Sequence, residues 1–276
     1  MSETGLKNSA LYLQRLGFVT PPAPTLETLR QLQLRHTGEF PFENLTTLSG
    51  EPVLIDLPSI EQKVLHDSRG GYCYELNKLF LALLLELGFD ARAISGRVVM
   101  GQPEGSWTAR THRLSLVTLD GVRYITDVGF GGMVPTAPLL LDSGAEQTTP
   151  HESYRIEQHA DGYTLRANVA GEWRPMYIFD LQRQEDIDFA VGNWYVSTYP
   201  ESSFAKQLMV ARTGPGWRRT LNNGSFAIHR VGAESERRQV RDVQALLDLL
   251  EVEFGIRAPQ SGQLRCTLDR LIASPE

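Results

Sequence analysis

The spacing of apolar residues changes near residue 91, from the three- and four-residue steps of helices to the alternation of strands. The strongest helical pattern follows Cys73 and stops at Gly88, a residue type that favours helix termination. Its apolar positions are Leu76, Leu79, Phe80, Leu83, Leu84 and Leu87. Earlier helical patterns are "SALYLQRLGF", "TLETLRQLQLRH" with Thr25 as the expected N-cap, and "PSIEQKVLHDS". In the last of these, Ser59 and Gln62 match a capping box, so we expect a helix to begin at Ser59.

Strand patterns separated by turn residues occupy the middle of the chain. They are "ARAISGRVVM", "HRLSLVTL", "VRYITDVGF", "ESYRIEQHADGYTLRANV" and "WRPMYIFDL". Asp-Gly pairs at 120–121 and 161–162 are hairpin signals. The tail contains one further strong helical pattern, "RDVQALLDLLEVEFG". Helices, then strands, then a mixed tail predict an α+β fold and not the alternation of a doubly wound sheet.

Composition argues against several classes of protein. The 276 residues carry a formal net charge of −6, which gives no electrostatic reason to expect a nucleic-acid partner. No apolar run approaches the length of a membrane span, and the start of the chain lacks the apolar stretch of a signal peptide. We therefore expect a cytoplasmic protein without a membrane partner, in which Cys73 and Cys266 are reduced. No metal is expected, because neither cysteine has a second Cys or a His at ligand spacing.

Cys73 has two interpretations. A lone cysteine is commonly an inert core residue. This one, however, follows Arg69, Gly70 and Gly71 and precedes the apolar register, which places it in the first turn of a helix. Unpaired N–H groups there favour a thiolate. We expect the two glycines to permit a sharp turn and to leave room for a substrate. Position alone leaves the core and nucleophile interpretations open.

A nucleophilic cysteine needs a base and a group that orients the base. A two-residue turn at 120–121 would place Asp127 opposite Leu114, one diagonal step from His112 on the same face. Cys73, His112 and Asp127 are therefore a candidate catalytic triad. The alternative is that His112 and Asp127 are unrelated polar residues on a half-solvated sheet.

Several segments resemble the arylamine N-acetyltransferase family, in the family's order and at compatible spacing. They are "FPFENL", "RGGYCYELN", "THRLSLV", "DVGFGG", "NWYVSTYPESSF" and "FGI". The resemblance covers most of the chain, and it points to a bacterial form because the inter-domain insertion of vertebrate members is absent. The sequence departs from the family at Tyr199, where a polar residue such as His or Asn is expected before the proline.

The resemblance implies a fold in three parts with a cysteine-proteinase-like core. These are an N-terminal helical bundle (1–90), a central small β-barrel (91–195) and a C-terminal α/β lid (196–276). It also implies acetyl-CoA as co-substrate and an aromatic amine or hydrazine as acceptor. By a ping-pong route, Cys73 would carry the acetyl group as a thioester, with His112 as base and Asp127 as its orienting partner.

The resemblance assigns further residues to the site. Gly131 and Gly132 would lie near the coenzyme A phosphates, and Phe42, Phe130 and Phe204 would line the acceptor pocket. For each of these, a tight turn or a plain core position is the alternative.

The sequence leaves alternatives open for one pair of charged residues and for the function. Glu43 and Arg69 would either form a buried ion pair behind the cysteine loop or be two solvated charges. The rival functions are a cysteine hydrolase or transglutaminase-like enzyme with the same triad, and a non-catalytic binding protein on that fold.

Overall fold

Helices precede strands along the chain, as the apolar spacing predicts. The structure, a computed structural model, describes residues 5–273. Residues 1–4 and 274–276, at the outer ends of the expected first and third parts, lie outside the described residues. The first helices are α1 (Ser9–Arg15), α2 (Leu26–Glu39), α3 (Leu45–Leu48), α4 (Leu57–Glu61) and α5 (Cys73–Glu86). A short strand, β1 (Phe42–Glu43), follows α2, and a π-helical turn (Gln62–His66) extends α4.

An eight-stranded antiparallel sheet forms the central part. Its strands, in chain order, are β2 (Asp90–Val98), β3 (Arg110–Leu119), β4 (Val122–Thr126), β5 (Leu139–Leu140), β6 (Gln147–Thr148), β7 (Ser153–His159), β8 (Gly162–Val169) and β9 (Glu172–Phe179). Their spatial order is β5-β4-β3-β2-β9-β8-β7-β6. The Gln147 amide links the two edges, since it donates to the Leu140 carbonyl (2.9 Å) and accepts from the Leu140 N–H (2.7 Å). The sheet is therefore a nearly closed barrel.

A second sheet has five strands, and the first of them comes from the helical part. Its other strands are β10 (Met209–Gly214), β11 (Trp217–Asn222), β12 (Ser225–Arg230) and β13 (Glu236–Gln239). Phe42 of β1 pairs with Ala211 of β10. The remaining helices are α6 (Asp186–Thr198), α7 (Ser203–Lys206), α8 (Val243–Phe254) and α9 (Gly262–Ala273). Side chains of α8 and α9 share one core with those of this second sheet.

The α+β class with a helical first part, a barrel and a mixed last part is confirmed. We keep the division near residues 90 and 195 as a proposal. The β1 strand crosses it, because residues 42–43 complete the sheet of the last part. No helix within residues 5–273 has the length and apolar character needed to cross a membrane.

The hairpin at Asp120-Gly121 has the predicted register, from Leu119↔Val122 to Ser115↔Thr126. The second hairpin turns one residue earlier than its Asp-Gly pair, since His159 pairs with Gly162. The start of α4 was predicted wrongly: Asp56, not Ser59, is the N-cap, and its carboxylate accepts the Ser59 N–H at 3.0 Å. An acidic side chain is well suited to this position, because it also interacts favourably with the helix dipole.

Candidate active site

Cys73 is the first residue of α5 and is almost fully buried (4% exposed). Glu75, at the third helical position, accepts the Tyr72 N–H (3.0 Å) and so closes the first turn. The thiol of Cys73 contacts the carbonyl of Thr111 on β3, with Sγ 3.6 Å from the oxygen. The sulfur therefore lies at the positive end of a helix, where a thiolate is stabilised.

Gly70 and Gly71 make room for the protein itself and not for a substrate, so that expectation was wrong. A Cβ on Gly70 would lie 1.9 Å from the Pro41 carbonyl oxygen, and one on Gly71 would lie 2.8 Å from the Glu75 carboxylate. Neither glycine adopts a positive φ. Their missing side chains let Pro41, the residue before β1, and the Glu75 carboxylate pack against the loop that presents Cys73.

A buried charge network holds this loop. Arg69 and Glu43 form the ion pair that the sequence left undecided (2.8 Å), and Lys63 pairs with Glu75 at 2.6 Å. Burial disfavours the Glu43 carboxylate, but the charges of Arg69 and Lys63 and the Leu45 N–H outweigh it and keep the pKa of Glu43 below its ordinary value. The network fixes β1, the π-helical turn and α5 relative to one another.

His112 and Asp127 are in direct contact, as the hairpin register predicts. The His112 Nε2 and the Asp127 Oδ2 are 2.6 Å apart, and both residues are 2% exposed. A β-bulge in β3 lies immediately before His112, at a point where bulges commonly redirect side chains towards active sites. Since Nε2 is used by Asp127, Nδ1 is the ring atom available for proton exchange with sulfur.

The electrostatics of this pair favour the imidazolium. Burial opposes the charge on His112, but the Asp127 carboxylate and the sulfur of Cys73 outweigh burial and raise the pKa of His112 to about 10. Burial also opposes the Asp127 carboxylate, yet His112, Asn77 and the Gly129 N–H hold the pKa of Asp127 below its ordinary value. The arrangement can therefore hold an imidazolium beside a cysteine at neutral pH.

A cavity of about 500 Å³ opens onto Cys73 and His112. Of the residues expected at the site, it is lined by Cys73, His112, Phe42, Phe130, Phe204, Gly131 and Gly132, whereas Asp127 lies behind His112. Gly131 and Gly132 belong to a 3₁₀ turn, Gly131–Met133. Tyr199 also lines the cavity, and its ring stacks on that of Tyr195 at a centroid distance of 4.9 Å. Among the described residues that line the cavity, none is a lysine or an arginine.

Comparison with known proteins identifies the family. A family model described as N-acetyltransferase matches residues 25–262. The arylamine N-acetyltransferase of Escherichia coli strain K12 is 40% identical over 246 residues, which cover 89% of this chain and 87% of that protein. The chain belongs to the arylamine N-acetyltransferase family. The resemblance seen in its motifs is thereby confirmed, and the chain is an acyltransferase.

Solved arylamine N-acetyltransferases have the same fold. The Mycobacterium marinum enzyme in complex with CoA superimposes with a TM-score of 0.90 at 39% identity, covering 96% of this chain and 99% of that one. The Salmonella typhimurium enzyme gives a TM-score of 0.90 at 37% identity, covering 98% and 99%. The likeness therefore extends over the whole site, and not over one domain alone.

Three residues of this acyltransferase site had no assigned role from sequence. Asn77 donates to the Asp127 Oδ1 (2.9 Å) and accepts the Val128 N–H (2.9 Å). The ring of Tyr177 lies against that of His112, with centroids 4.8 Å apart. A Cβ on Gly129 would lie 2.7 Å from the Cα of Cys73. The four-residue step from Cys73 to Asn77, which puts both on one helix face, was the available signal for Asn77.

Cys266 and His36 do not line the cavity that opens onto Cys73. Cys266 is exposed on α9. Within residues 5–273, no group of three or more His, Cys, Asp or Glu side chains is arranged to hold a metal ion. His36 is fully buried in the helical part, where it is hydrogen-bonded to the Tyr12 hydroxyl (2.6 Å) and its ring contacts those of Phe40 and Phe80.

Proposed function

We propose that this chain moves an acetyl group from acetyl-CoA to an aromatic amine or hydrazine through a thioester on Cys73. The observation that carries the proposal is the His112–Asp127 pair (2.6 Å) beside a cysteine at a helix N-terminus, at the base of one cavity. The CoA complex of a relative with the same fold supports the choice of donor. Since the chemistry needs a free thiol, we also propose the reducing cytoplasm as its location.

In the first half-reaction, the Cys73 thiolate attacks the carbonyl carbon of the acetyl thioester. The bond from that carbon to the coenzyme A sulfur breaks, and the departing sulfur takes a proton from the His112 imidazolium. Free coenzyme A leaves, the acetyl group stays on Cys73, and His112 is neutral. Asp127 holds the ring in one orientation through Nε2 in both states.

In the second half-reaction, the neutral amine of the acceptor attacks the acetyl carbonyl of the thioester. His112 accepts the proton that the amine nitrogen loses, and the bond to the Cys73 sulfur breaks to regenerate the thiolate. An arylamine is weakly basic and hence mostly neutral at pH 7, so it is nucleophilic without prior deprotonation. The result is a ping-pong sequence with one covalent intermediate.

The lining of the cavity indicates how the substrates lie. Phe42 and Phe204, with ring centroids 6.1 Å apart, and Phe130 offer apolar surface for an aromatic acceptor. The part of the chain that the structure describes contributes no lysine or arginine to the cavity, so we infer that the thiol arm of coenzyme A enters and that its phosphates stay outside. We infer that coenzyme A enters the cavity past the turn at Gly131 and Gly132.

Intact-mass spectrometry after mixing the protein with acetyl-CoA and no acceptor tests the proposal. We expect one added acetyl group, mapped to Cys73, which disappears when an arylamine is supplied. Cys266→Ala is the matched control and should acetylate like the parent, whereas Cys73→Ala should not.

Other outcomes would contradict specific parts of the proposal. An acetyl group mapped to Cys266 or to a lysine would overturn the assigned nucleophile. Rapid loss of the acetyl group to water, with no gain from an amine, would indicate a cysteine hydrolase. Failure of Cys73 to acetylate at all, in a folded protein, would favour a non-catalytic binding protein.

A further inference from the structure

Arg113 is a buried cation that has no carboxylate partner among the residues that the structure describes. It is 3% exposed, and within residues 5–273 its Nε and Nη1 atoms have no hydrogen-bond partner. Other buried charged groups in the described part of the chain are paired or hydrogen-bonded, namely Glu43, Glu61, Arg69, Glu75, His112, Asp127 and Arg218. Burying an unpaired guanidinium is costly. Its presence next to His112 in the sequence therefore needs a physical reason.

The surroundings of Arg113 place it beside the turn that presents the nucleophile. Successive strand residues point to opposite faces, so Arg113 projects from the outer face of β3 while His112 faces the barrel interior, against Tyr177. Its guanidinium carbon lies 4.2 Å from the ring centroid of Phe189 on α6. Phe189 packs in one apolar cluster with Cys73 and Tyr74. The Arg113 carbonyl also accepts a hydrogen bond from Asn77 (2.6 Å), one turn after Cys73.

Three groups that can be negative act electrostatically on Arg113. They are Asp186, Cys73 and Tyr74. The Asp186 side chain is 75% exposed and lies 3.4 Å from Lys78, so water and a second cation weaken its effect. Burial raises the pKa of Tyr74 far above neutral pH, so its phenol stays uncharged. Cys73 is then the buried group of the three that can supply the opposing charge.

Arg113 itself stays a cation at neutral pH. Burial lowers its pKa, but only to about 10, because Asp186 and the two α5 groups favour the charged form. The groups that interact electrostatically with Cys73 include two cations, His112 and Arg113, and two neutral phenols, Tyr72 and Tyr74. A thiolate at Cys73 offsets the charge that Arg113 brings into the interior.

We propose that Arg113 is a positioning residue that stabilises the thiolate form of Cys73 from the outer face of β3. The inference rests on the proposed function, in which that thiolate attacks in the first half-reaction and departs in the second. Arg113 acts on the sulfur charge in both steps without touching either substrate. His112 exchanges protons, whereas Arg113 keeps a constant charge while the cysteine is acylated and released.

The test is the rate of alkylation of Cys73 by iodoacetamide as a function of pH, without acetyl-CoA. Arg113→Met keeps an unbranched apolar side chain and removes the charge. We expect its alkylation midpoint to move upwards by about one pH unit, a tenfold loss of reactive thiolate below the midpoint. Arg113→Lys retains a charge and should restore most of the parental profile. The matched control is Arg123→Met, which removes a half-exposed arginine of β4 that pairs with Asp142; its alkylation profile should not differ from that of the parent.

A folded Arg113→Met protein with the parental alkylation profile would overturn the inference, because a merely structural arginine changes stability and not the pH profile. If the methionine variant does not fold by circular dichroism, Arg113→Gln removes the same charge and must show the same upward shift. Failure of the proposed function is distinguishable, since it would appear in the parent as a Cys73 that acetyl-CoA does not acetylate. The alkylation profile would then still decide whether Arg113 acts on the thiolate.

Discussion

Replacing Gly129 by alanine should push the loop of residues 127–129, which carries Asp127, away from Cys73. Gly129 follows Asp127 by two residues, and its N–H donates to the Asp127 Oδ1 at 2.9 Å. The added Cβ would lie 2.7 Å from the Cα of Cys73 and 2.8 Å from the Asn77 Nδ2. The first of these atoms is backbone, so no side-chain rotation relieves the contact. The loop has to move away from α5.

The required movement follows from these distances. Carbon atoms pack at about 3.5–4.0 Å, so the loop has to retreat by about 1 Å. The 2.9 Å hydrogen bonds that join Asn77 on α5 to Asp127 and to Val128 would then exceed the normal hydrogen-bond range. Misplacing a catalytic group by about 1 Å costs on the order of 100-fold in rate. The overpacking itself should lower the free energy of unfolding by about 1–3 kcal/mol.

The assay is kcat/KM for acetyl transfer to an arylamine, together with urea unfolding of the same protein. Gly262→Ala is the matched control, because a Cβ there meets no atom within 4 Å. We expect Gly129→Ala to fold, to lose stability and to lose most of its activity, and Gly262→Ala to resemble the parent. A Gly129→Ala protein with parental activity and stability would refute the reasoning, since it would mean that the loop accommodates the methyl group without moving Asp127.

Three further predictions concern the charges behind the nucleophile. Asp127→Asn should fold but lose roughly 10⁴-fold in activity, the scale found when the carboxylate of a serine-protease triad becomes an amide. A folded variant with near-normal transfer would contradict the triad. The His112 pKa is raised from 6.5 to about 10, so the pair's contribution to stability is fully present below pH 6.5 and is lost as the pH rises through about 10. In urea unfolding, the difference in free energy of unfolding between the parent and Asp127→Asn should therefore shrink as the pH rises from 6.5 to about 10. A difference that stays constant over this range would show that protonation of His112 does not contribute to stability through Asp127. Arg69→Met removes the closer cation from the buried Glu43 carboxylate and leaves it the ammonium of Lys63, at 3.9 Å. The free energy of unfolding should therefore fall by about 3–5 kcal/mol, as measured by urea unfolding. A fall below about 1 kcal/mol, as for an exposed ion pair, would show that this charge network does not stabilise the fold.

Patterns within one element were readable from the sequence. The apolar spacing after Cys73 predicted the helix that the structure shows at Cys73–Glu86 and placed Cys73 in its first turn, because a buried helical face repeats every three to four residues. The turn at Asp120-Gly121 gave the register that brings Asp127 to His112, because a two-residue hairpin leaves no freedom in strand pairing. The chemical roles of Cys73, His112 and Asp127 came from the resemblance to the family motifs, because apolar spacing carries no information about chemistry.

The sequence was a poorer guide where several residues could have served the same local role or where an element depends on distant contacts. Ser59 and Gln62 form a capping-box pair in sequence, yet Asp56 caps α4, since several polar residues before a helix can each serve and the final packing selects one. The hairpin Asn222↔Ser225 was not predicted, although Asn223-Gly224 is a signal of the same kind as Asp-Gly. Its strands, β11 and β12, complete a sheet that begins at residues 42–43, so its existence depends on a long-range contact.

The apolar spacing, the turns and the motifs of the sequence by themselves determined the helix that presents Cys73, the hairpin that carries His112 and the α+β order of the chain. Only the tertiary structure decided what surrounds them. Gly129 is needed because a backbone from α5 passes within van der Waals distance, and Arg113 is buried because α6 covers the outer face of β3. Such contacts join residues that are far apart in sequence, so neither residue type nor local spacing encodes them. They depend on how the finished elements pack.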